Sequence, residues 1–427
     1  MKNKHLYIFN SASRAQEYGI GTYIDMLFHC LENRDFKVTY IEIYCQIQEL
    51  KVTEEKNMRH IRIPQANNVP LNIDDYSLYK INEEYFSSIP LVLIPYINKD
   101  EINVYHINYL SHANIAKGLK KYFGGHVVTV VHYTEWSFRL YGNKERFEQI
   151  LNKNENELTR YEDFITCLYN REKDLLQTYS DHIIAISKHS IADLVNYYEV
   201  DQSKISLIPN ALVDKHEPMS SMHKKILRKR YQIRDEETIV LFAGRIDKIK
   251  GVDMLIDACR YLEKTHHNLR VFIAGNGELN EMQRAAVPYL GNILFTGYLP
   301  KKELYKLYVA ADIGVVPSRH EEFGYVALEM MMHGLPIIVT DTTGLAETVV
   351  DNVTGSKVKL HKDANESKTV KQIADAICDL TTDQQKRLKF GRAGRKRFKL
   401  LYDYRLYQEK ILDVYESGFT AERNRNK

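Results

Sequence analysis

The stretch Val315-Val316-Pro317-Ser318-Arg319-His320-Glu321-Glu322-Phe323-Gly324-Tyr325-Val326-Ala327-Leu328-Glu329, followed by Met330-Met331-Met332-His333-Gly334-Leu335-Pro336, reads as strand, loop, helix and stop. Pro317 cannot donate to a ladder and ends the strand; Gly324 opens the helix; Gly334 and Pro336 close it. The same alternation of short β-rich runs and longer helical patterns fills the chain from end to end. Parallel sheets wrapped by helices leave that signature, so the fold class is α/β.

Upstream, strands are expected at Leu6–Asn10, Val38–Ile43, Val104–Ile107, Val127–Val131, Ile183–Ile186 and Ile205–Ile208. Helices are expected near Thr22–Leu31, Asn114–Tyr122, Lys144–Thr178 and Ser190–Tyr198, while residues 46–100 follow no regular period. A second alternation starts at Thr238–Phe242 and continues through Val271–Ala274, Ile293–Thr296, Ile313–Val316 and Ile337–Thr340, with Val252, Leu255, Ile256, Cys259 and Leu262 on one helical face. The polar, basic stretch Asp214–Arg234 between the two reads as a linker running into a helix. The expected division is therefore 1–212, 213–400, and a closing segment 401–427. In that last segment Leu401, Tyr404, Tyr407, Ile411, Val414 and Tyr415 form a helix able to pack back on the first domain, and Arg423–Lys427 is expected to be disordered.

Length and composition agree with two cores: 427 residues, of which 44% are hydrophobic. With Lys+Arg 59 against Asp+Glu 56 the net charge is only +3, which argues against a nucleic-acid partner. The five cysteines, Cys30, Cys45, Cys167, Cys259 and Cys378, include no Cys-x-x-Cys, so a reducing cytoplasm is expected rather than a disulfide framework. The apolar run Leu6–Phe9 is too short for a signal-peptide core and Ile89–Ile97 holds two prolines, so an integral membrane protein is not expected.

The residues able to carry chemistry follow strand ends. Glu321 in the loop and Glu329 in the helix flank a helix N-terminus, whose free N–H groups and dipole suit a diphosphate. On this reading Glu321 meets sugar hydroxyls and Glu329 a ribose diol; the same spacing also serves an ordinary βα unit. Gly244-Arg245 through Lys250-Gly251 puts two cations at a sheet edge, as a pyrophosphate leaving group requires, although a solvated basic loop has the same composition. Gly275-Asn276-Gly277 follows another strand and is either a close approach to a nucleotide or a tight turn. In the first half, Gly19-Ile20-Gly21-Thr22 opens a helix after the first strand, and His132, Ser187 and Asn210 each stand just past a strand, where turn residues also stand. There is no Asp-x-Asp, no His-Glu-x-x-His, no phosphate loop ending in Gly-Lys-Ser/Thr, and no third glycine in register with Gly19 and Gly21. Metal catalysis, ATP hydrolysis and dinucleotide redox chemistry lose ground accordingly.

Taken together, these segments resemble a retaining GT-B nucleotide-sugar glycosyltransferase of family 4 (glycosyl transferases group 1). The resemblance runs in order through the C-terminal half: Gly244-Arg245 to Lys250-Gly251, Gly275-Asn276-Gly277, the paired Glu321 and Glu329 around Phe323-Gly324, and Thr343-Gly344-Leu345-Ala346-Glu347. It implies two doubly wound Rossmann-like domains facing across a cleft and no cofactor or metal. It also implies a nucleoside-diphosphate sugar held by Arg245, Lys250, Glu321, Glu329 and the amides around Phe323 and Gly324, and a glycan or lipid-linked acceptor. The first half matches more thinly, through Gly19, Val104-Tyr105-His106, His132, Ser187 and Asn210. Tyr18 replaces the first of two family glycines, and Tyr133 an Asp that commonly follows the His. Two other readings keep the fold: a sugar-nucleotide epimerase or phosphorylase, and a catalytically silent partner subunit. Lys117-Lys120-Lys121 and the run Lys224–Arg230 read as solvated helix faces or as a peripheral contact at the inner face of a membrane.

Overall fold

The computed structural model describes residues 3–12, 19–55, 58–65, 75–217, 221–262, 268–289, 291–361 and 366–425. The chain forms two compact units, Met1–Pro209 with Tyr407–Lys427, and Asn210–Leu406. These boundaries replace the expected ones at 212/213 and 400/401. The reason is local: Leu212 pairs with the returning chain, its N–H donating to the Tyr402 carbonyl (3.0 Å) and its carbonyl accepting from Tyr404 N–H (3.1 Å). Both crossings of the chain are thereby stitched into the second unit.

The first unit is built on an eight-stranded sheet of β1 (Lys4–Ser11), β2 (Lys37–Cys45), β3 (Lys51–Glu55), β4 (Met58–Pro64), β5 (Ile102–Ile107), β6 (His126–Val131), β7 (His182–Ala185) and β8 (Ile205–Leu207), in the order β3-β4-β2-β1-β5-β6-β7-β8. Its strands are parallel except β3, which runs antiparallel to β4. Strands β5 and β6 are buried at every residue, as the middle of a sheet covered on both faces requires. The β3–β4 hairpin and the helix Asp75–Val92 occupy the stretch that shows no clear period; the hairpin sits at the sheet edge, where polar alternation such as Lys51–Glu55 carries little core signal.

Two expectations in this unit are corrected. Lys144–Thr178 is not one helix: it breaks between Leu151 and Arg160, because Thr159 and Glu162 form a capping box in which each side chain accepts from the other's backbone N–H (3.3 and 3.0 Å). Arg423–Arg425 is not disordered: it ends the helix Tyr404–Arg425, and Arg425 pairs with Asp181 at 2.8 Å. Asn426 and Lys427 lie outside the described residues. From Tyr407 onward this helix belongs to the first unit and buries Tyr407, Ile411, Val414, Tyr415 and Phe419 at helical spacing.

The second unit is a wholly parallel six-stranded sheet of β9 (Thr238–Ala243), β10 (Leu269–Ala274), β11 (Ile293–Gly297), β12 (Ile313–Val316), β13 (Ile337–Asp341) and β14 (Gly355–Lys359), in the order β11-β10-β9-β12-β13-β14. Strand β14 is unforeseen because Gly355-Ser356-Lys357-Val358-Lys359 is short and mostly polar. The helix into which the linker is expected to run is Ser221–Arg230, anchored by the buried Arg228, which bonds Asp312 (2.8 Å) and the Ala310 carbonyl (3.2 Å), and by Lys224, also on Asp312 (3.1 Å). Lys120 is likewise spent on Asp181 and the Gly125 carbonyl. The basic runs proposed for a membrane surface therefore turn part of their charge inward. Among the described residues no helix is long and apolar enough to cross a membrane.

Several histidines are buried neutral in the first unit. Burial holds His106 and His126 down to about 4, and burial together with the neighbouring His106 holds His132 down to about 3. Since their ordinary value is 6.5, the unfolded chain binds more protons between these limits. Stability is then fully present above about pH 6.5 and is lost as pH falls toward the folded values. Glu172, raised to about 8 by burial and the nearby Glu135, works in the opposite sense above pH 4.5, as does Glu83, but burial lowers His5, His112 and His182 as well as the three named above. Melting temperatures measured from pH 7 to pH 4 should fall steadily; a flat profile would show that these imidazoles accept protons in the folded state.

Candidate functional site

The chain leaves β9, adds β10 and β11 on one side, and returns to lay β12 against the other side of β9. That reversal makes a crevice at the carboxyl ends of β9 and β12, the place where open α/β sheets bind ligands. The loops that follow β9 and β10 are zipped by backbone bonds: Ile246 N–H to the Asn276 carbonyl (2.8 Å), Glu278 N–H to the Ile246 carbonyl (2.7 Å), and Gly244 N–H to the Ala274 carbonyl (2.9 Å). Only glycine permits this approach. A Cβ at Gly275 would lie 1.7 Å from the Gly244 carbonyl oxygen, and one at Gly277 2.3 Å from that of Ile246, both at positive φ.

Into the crevice the β9 loop sends two cations. Asp247 organises them, pairing with the Arg245 guanidinium and accepting the Lys250 backbone N–H at 2.8 Å. From the β12 loop comes Glu321, whose Oε2 lies 2.5 Å from Lys250 Nζ. The Glu321 backbone is pinned in turn, its carbonyl accepting from the Thr343 hydroxyl (2.6 Å) and Leu345 N–H (3.1 Å). Arg319, two residues earlier, is a clamp that the sequence reading passed over. It bonds Asp253 through both terminal nitrogens (2.8 Å each), Glu366 at 2.6 and 2.8 Å, and the Lys248 carbonyl, fixing the β9 loop to the β12 loop. Those carboxylates raise its pKa further, so it stays charged. Its place inside the quoted motif was the available signal.

The helix Tyr325–Met332 begins at Gly324 as its N-cap, with its first N–H groups at the same sheet edge. Phe323 is buried and packs on Tyr325 and Tyr402, so its side chain supports the loop. Glu329 differs from the accessible carboxylate expected of a ribose ligand. It is fully buried, one oxygen on the Lys301 ammonium and the other accepting from the buried Tyr308 hydroxyl at 2.9 Å. Glu347 is half-buried on the short helix Leu345–Thr348, its carbonyl accepting from Arg397 at 2.8 Å. Asn210 is buried at the start of the unit, and its side-chain oxygen has no hydrogen-bond partner among the described residues.

In the first unit the corresponding reversal falls between β1 and β5. Gly19 opens the helix Gly19–Leu31 beyond β1; Tyr18 lies outside the described residues. His132 follows β6, nearly buried, with Nε2 3.4 Å from Asn108 Oδ1 and its ring edge-on to Tyr23 at 4.5 Å. Asn108 donates its amide to the Phe9 carbonyl (3.1 Å), which turns its oxygen toward His132 and His106 (3.0 Å). His106 also faces Tyr415 at 2.8 Å, a partner invisible to local sequence reading because it comes from the closing helix. The imidazole of His132 is neutral, so it can share a hydrogen bond but carries no positive charge. Ser187 is accounted for as a helix cap: its hydroxyl accepts the Ser190 N–H at 3.0 Å.

Residues 223–397 match the family described as Glycosyl transferases group 1. An uncharacterized glycosyltransferase of Methanocaldococcus jannaschii is 29% identical over 61% of this chain and 72% of its own length. The D-inositol 3-phosphate glycosyltransferase of Corynebacterium efficiens is 29% identical over 57% of this chain and 58% of its own length, and the putative glycosyltransferase YtcC of Bacillus subtilis 30% over 46% and 49%. Against the last two, the chain spans about half the length of the relative. Among solved structures, sucrose-phosphate synthase from Thermosynechococcus elongatus superposes with a TM-score of 0.77 at 20% identity, covering 98% of this chain and 100% of that one. HepE from Anabaena, in complex with UDP, gives 0.71 at 15% identity, covering 97% and 100%. The fold is GT-B.

The zipped loops give a direct stability test. Gly275→Ala places a methyl group on the Gly244 carbonyl and should cost at least about 3 kcal/mol in a urea melt. Unchanged stability would show that the two loops are not held together in solution.

Proposed function

We propose that this chain, whose residues 223–397 form a glycosyl transferases group 1 domain, is a retaining, metal-independent glycosyltransferase moving a hexose-type sugar from a nucleoside-diphosphate donor to an acceptor hydroxyl. The observation that carries the proposal is the Lys250–Glu321 pair, one cation and one carboxylate meeting at 2.5 Å at the mouth of the β9–β12 crevice. A diphosphate needs the cation and a sugar needs the carboxylate, and here each is stored on the other. An Anabaena structure of the same fold holds UDP-glucose, which supports a nucleotide-sugar donor.

In this reading Arg245 and Lys250 hold the diphosphate, with the N–H groups after Gly324 adding the dipole of their helix. Released from Lys250, Glu321 accepts hydrogen bonds from sugar hydroxyls. A ribose diol that reaches Glu329 takes the place of the Lys301 ammonium, the more exposed of its two partners, while Tyr308 keeps the other oxygen in place. The acceptor oxygen bonds to the anomeric carbon on the face from which the diphosphate leaves. The bond from that carbon to the phosphate oxygen breaks, and the acceptor proton passes to the departing phosphate. The products are the glycoside and the nucleoside diphosphate, with no covalent enzyme intermediate. Charge grows on the leaving group as the bond breaks, so the two cations act on the transition state more than on the bound donor. His132 of the first unit, held down to about 3 by burial, is too weak a base for proton abstraction and suits hydrogen bonding only.

Donor turnover, followed as release of nucleoside diphosphate from a panel of nucleotide sugars in EDTA, tests this. Arg245→Ala and Lys250→Ala should each lower kcat by about 100-fold or more. Both sites are partly exposed, so the loss of stability should stay within about 1 kcal/mol. Wild-type turnover in either variant, or a product of inverted anomeric configuration by NMR, would contradict the proposal.

A further inference from the structure

The helix Gln384–Leu401 of the second unit carries eight cations and no acid. It sorts them by face. Toward the unit, Arg395 forms a forked pair with Asp214 (2.9 and 2.6 Å), Arg397 donates to the carbonyls of Thr348 and Glu347 (2.8 Å each), and Phe390, Gly391, Gly394 and Phe398 are buried. On the outer side Lys389, Arg392, Lys396 and Lys399 are all exposed, and none pairs with an acid among the described residues. Their spacing of three, four and three residues aligns them in one row along the helix. Leu388 and Leu400 border that row at 45% and 61% exposed, and Leu401 stands 47% exposed at its end.

A singly exposed leucine is ordinary on a protein surface, but here three stand along one row of four cations without acidic partners among the described residues, in a chain whose net charge is only +3. Cations in a row with apolar side chains at the same level match an anionic bilayer surface, where charges meet headgroups and leucines reach the acyl boundary. We propose that the outer face of the helix Gln384–Leu401 is a docking surface for anionic lipid, with Lys389, Arg392, Lys396 and Lys399 on phosphate headgroups and Leu388 and Leu400 inserted. The helix is already folded and anchored on its other face, so docking needs no ordering of the chain. This contact is parallel to the surface, not a span, and it does not depend on the transfer reaction.

Flotation of the full chain with phosphatidylcholine vesicles, with and without phosphatidylglycerol, tests it. The wild type should float only with the anionic vesicles and be released by about 0.5 M salt, where screening shortens to a few ångströms. The double substitution Arg392→Glu with Lys396→Glu, both in solvent and so tolerated by the fold, should lower the partition constant at least about 30-fold. Leu400→Ser should lower it as well. No flotation of the wild type would overturn the proposal, as would equal binding to neutral vesicles or wild-type partition of the double variant. Wild-type partition of Leu400→Ser, with a single-stranded oligonucleotide competing for the protein, would assign the row to polyanions in general and overturn the lipid assignment.

Discussion

Lys250 and Glu321 meet at 2.5 Å across 71 residues of sequence, and nearly every feature of the second unit is arranged so that they can. The order of strands makes β9 and β12 neighbours although two strands intervene in the chain. The glycine-permitted approach of the β9 and β10 loops fixes where the β9 loop turns, Asp247 sets the Lys250 backbone, and Arg319 ties that loop to its neighbour from below. The two side chains keep only 25% and 19% of their surface in water, and the cost of desolvating both charges offsets much of their attraction, so the pair adds little net stability. So much supporting structure around so small a gain is better explained by position than by stability: the two charges are held where a ligand of both characters can separate them.

Charge is sorted elsewhere by the same economy. The basic helices each send some cations inward to carbonyls and carboxylates, as Arg228 does toward Asp312 and Arg395 toward Asp214. Such internal pairs are costly to break, because the partner is left buried and unpaired. Counting basic residues along the sequence cannot separate these from the cations left in water, since the separation depends on which side of each helix faces its sheet. The neutral histidines of the first unit show the corresponding limit for titratable groups: their state is set by burial, and one side of the His106 ring is covered by Tyr415, which arrives from the far end of the chain.

The α/β class, the two sheets and the strands β1, β2, β5, β6 and β9 were legible because buried parallel strands read as short apolar runs bounded by turn residues. So were the loops after β9, β10 and β12, since Gly244, Gly275, Gly277 and Pro317 punctuate them. What escaped was signalled by polar atoms rather than apolar period: the capping box of Thr159 and Glu162, the polar strands β3 and β14, and the inward anchoring of Arg228 and Lys224 on Asp312. Within the site, Glu321 and Lys250 could be named from sequence, but their pairing could not. Glu329 carried the opposite lesson, because a carboxylate at a suggestive spacing proved to be fully buried on Lys301 and Tyr308. Spacing along a helix gives a residue's face; only packing gives its accessibility.

The claim on which the account turns is that the β9–β12 crevice holds a nucleoside diphosphate through its cations. Calorimetric titration of UDP, GDP and ADP in EDTA, into the wild type and into Lys250→Ala, addresses it most directly. One of the three should bind the wild type without metal, with affinity at least about tenfold weaker in the variant. Binding by none of them, or equal affinity in both proteins, would contradict it.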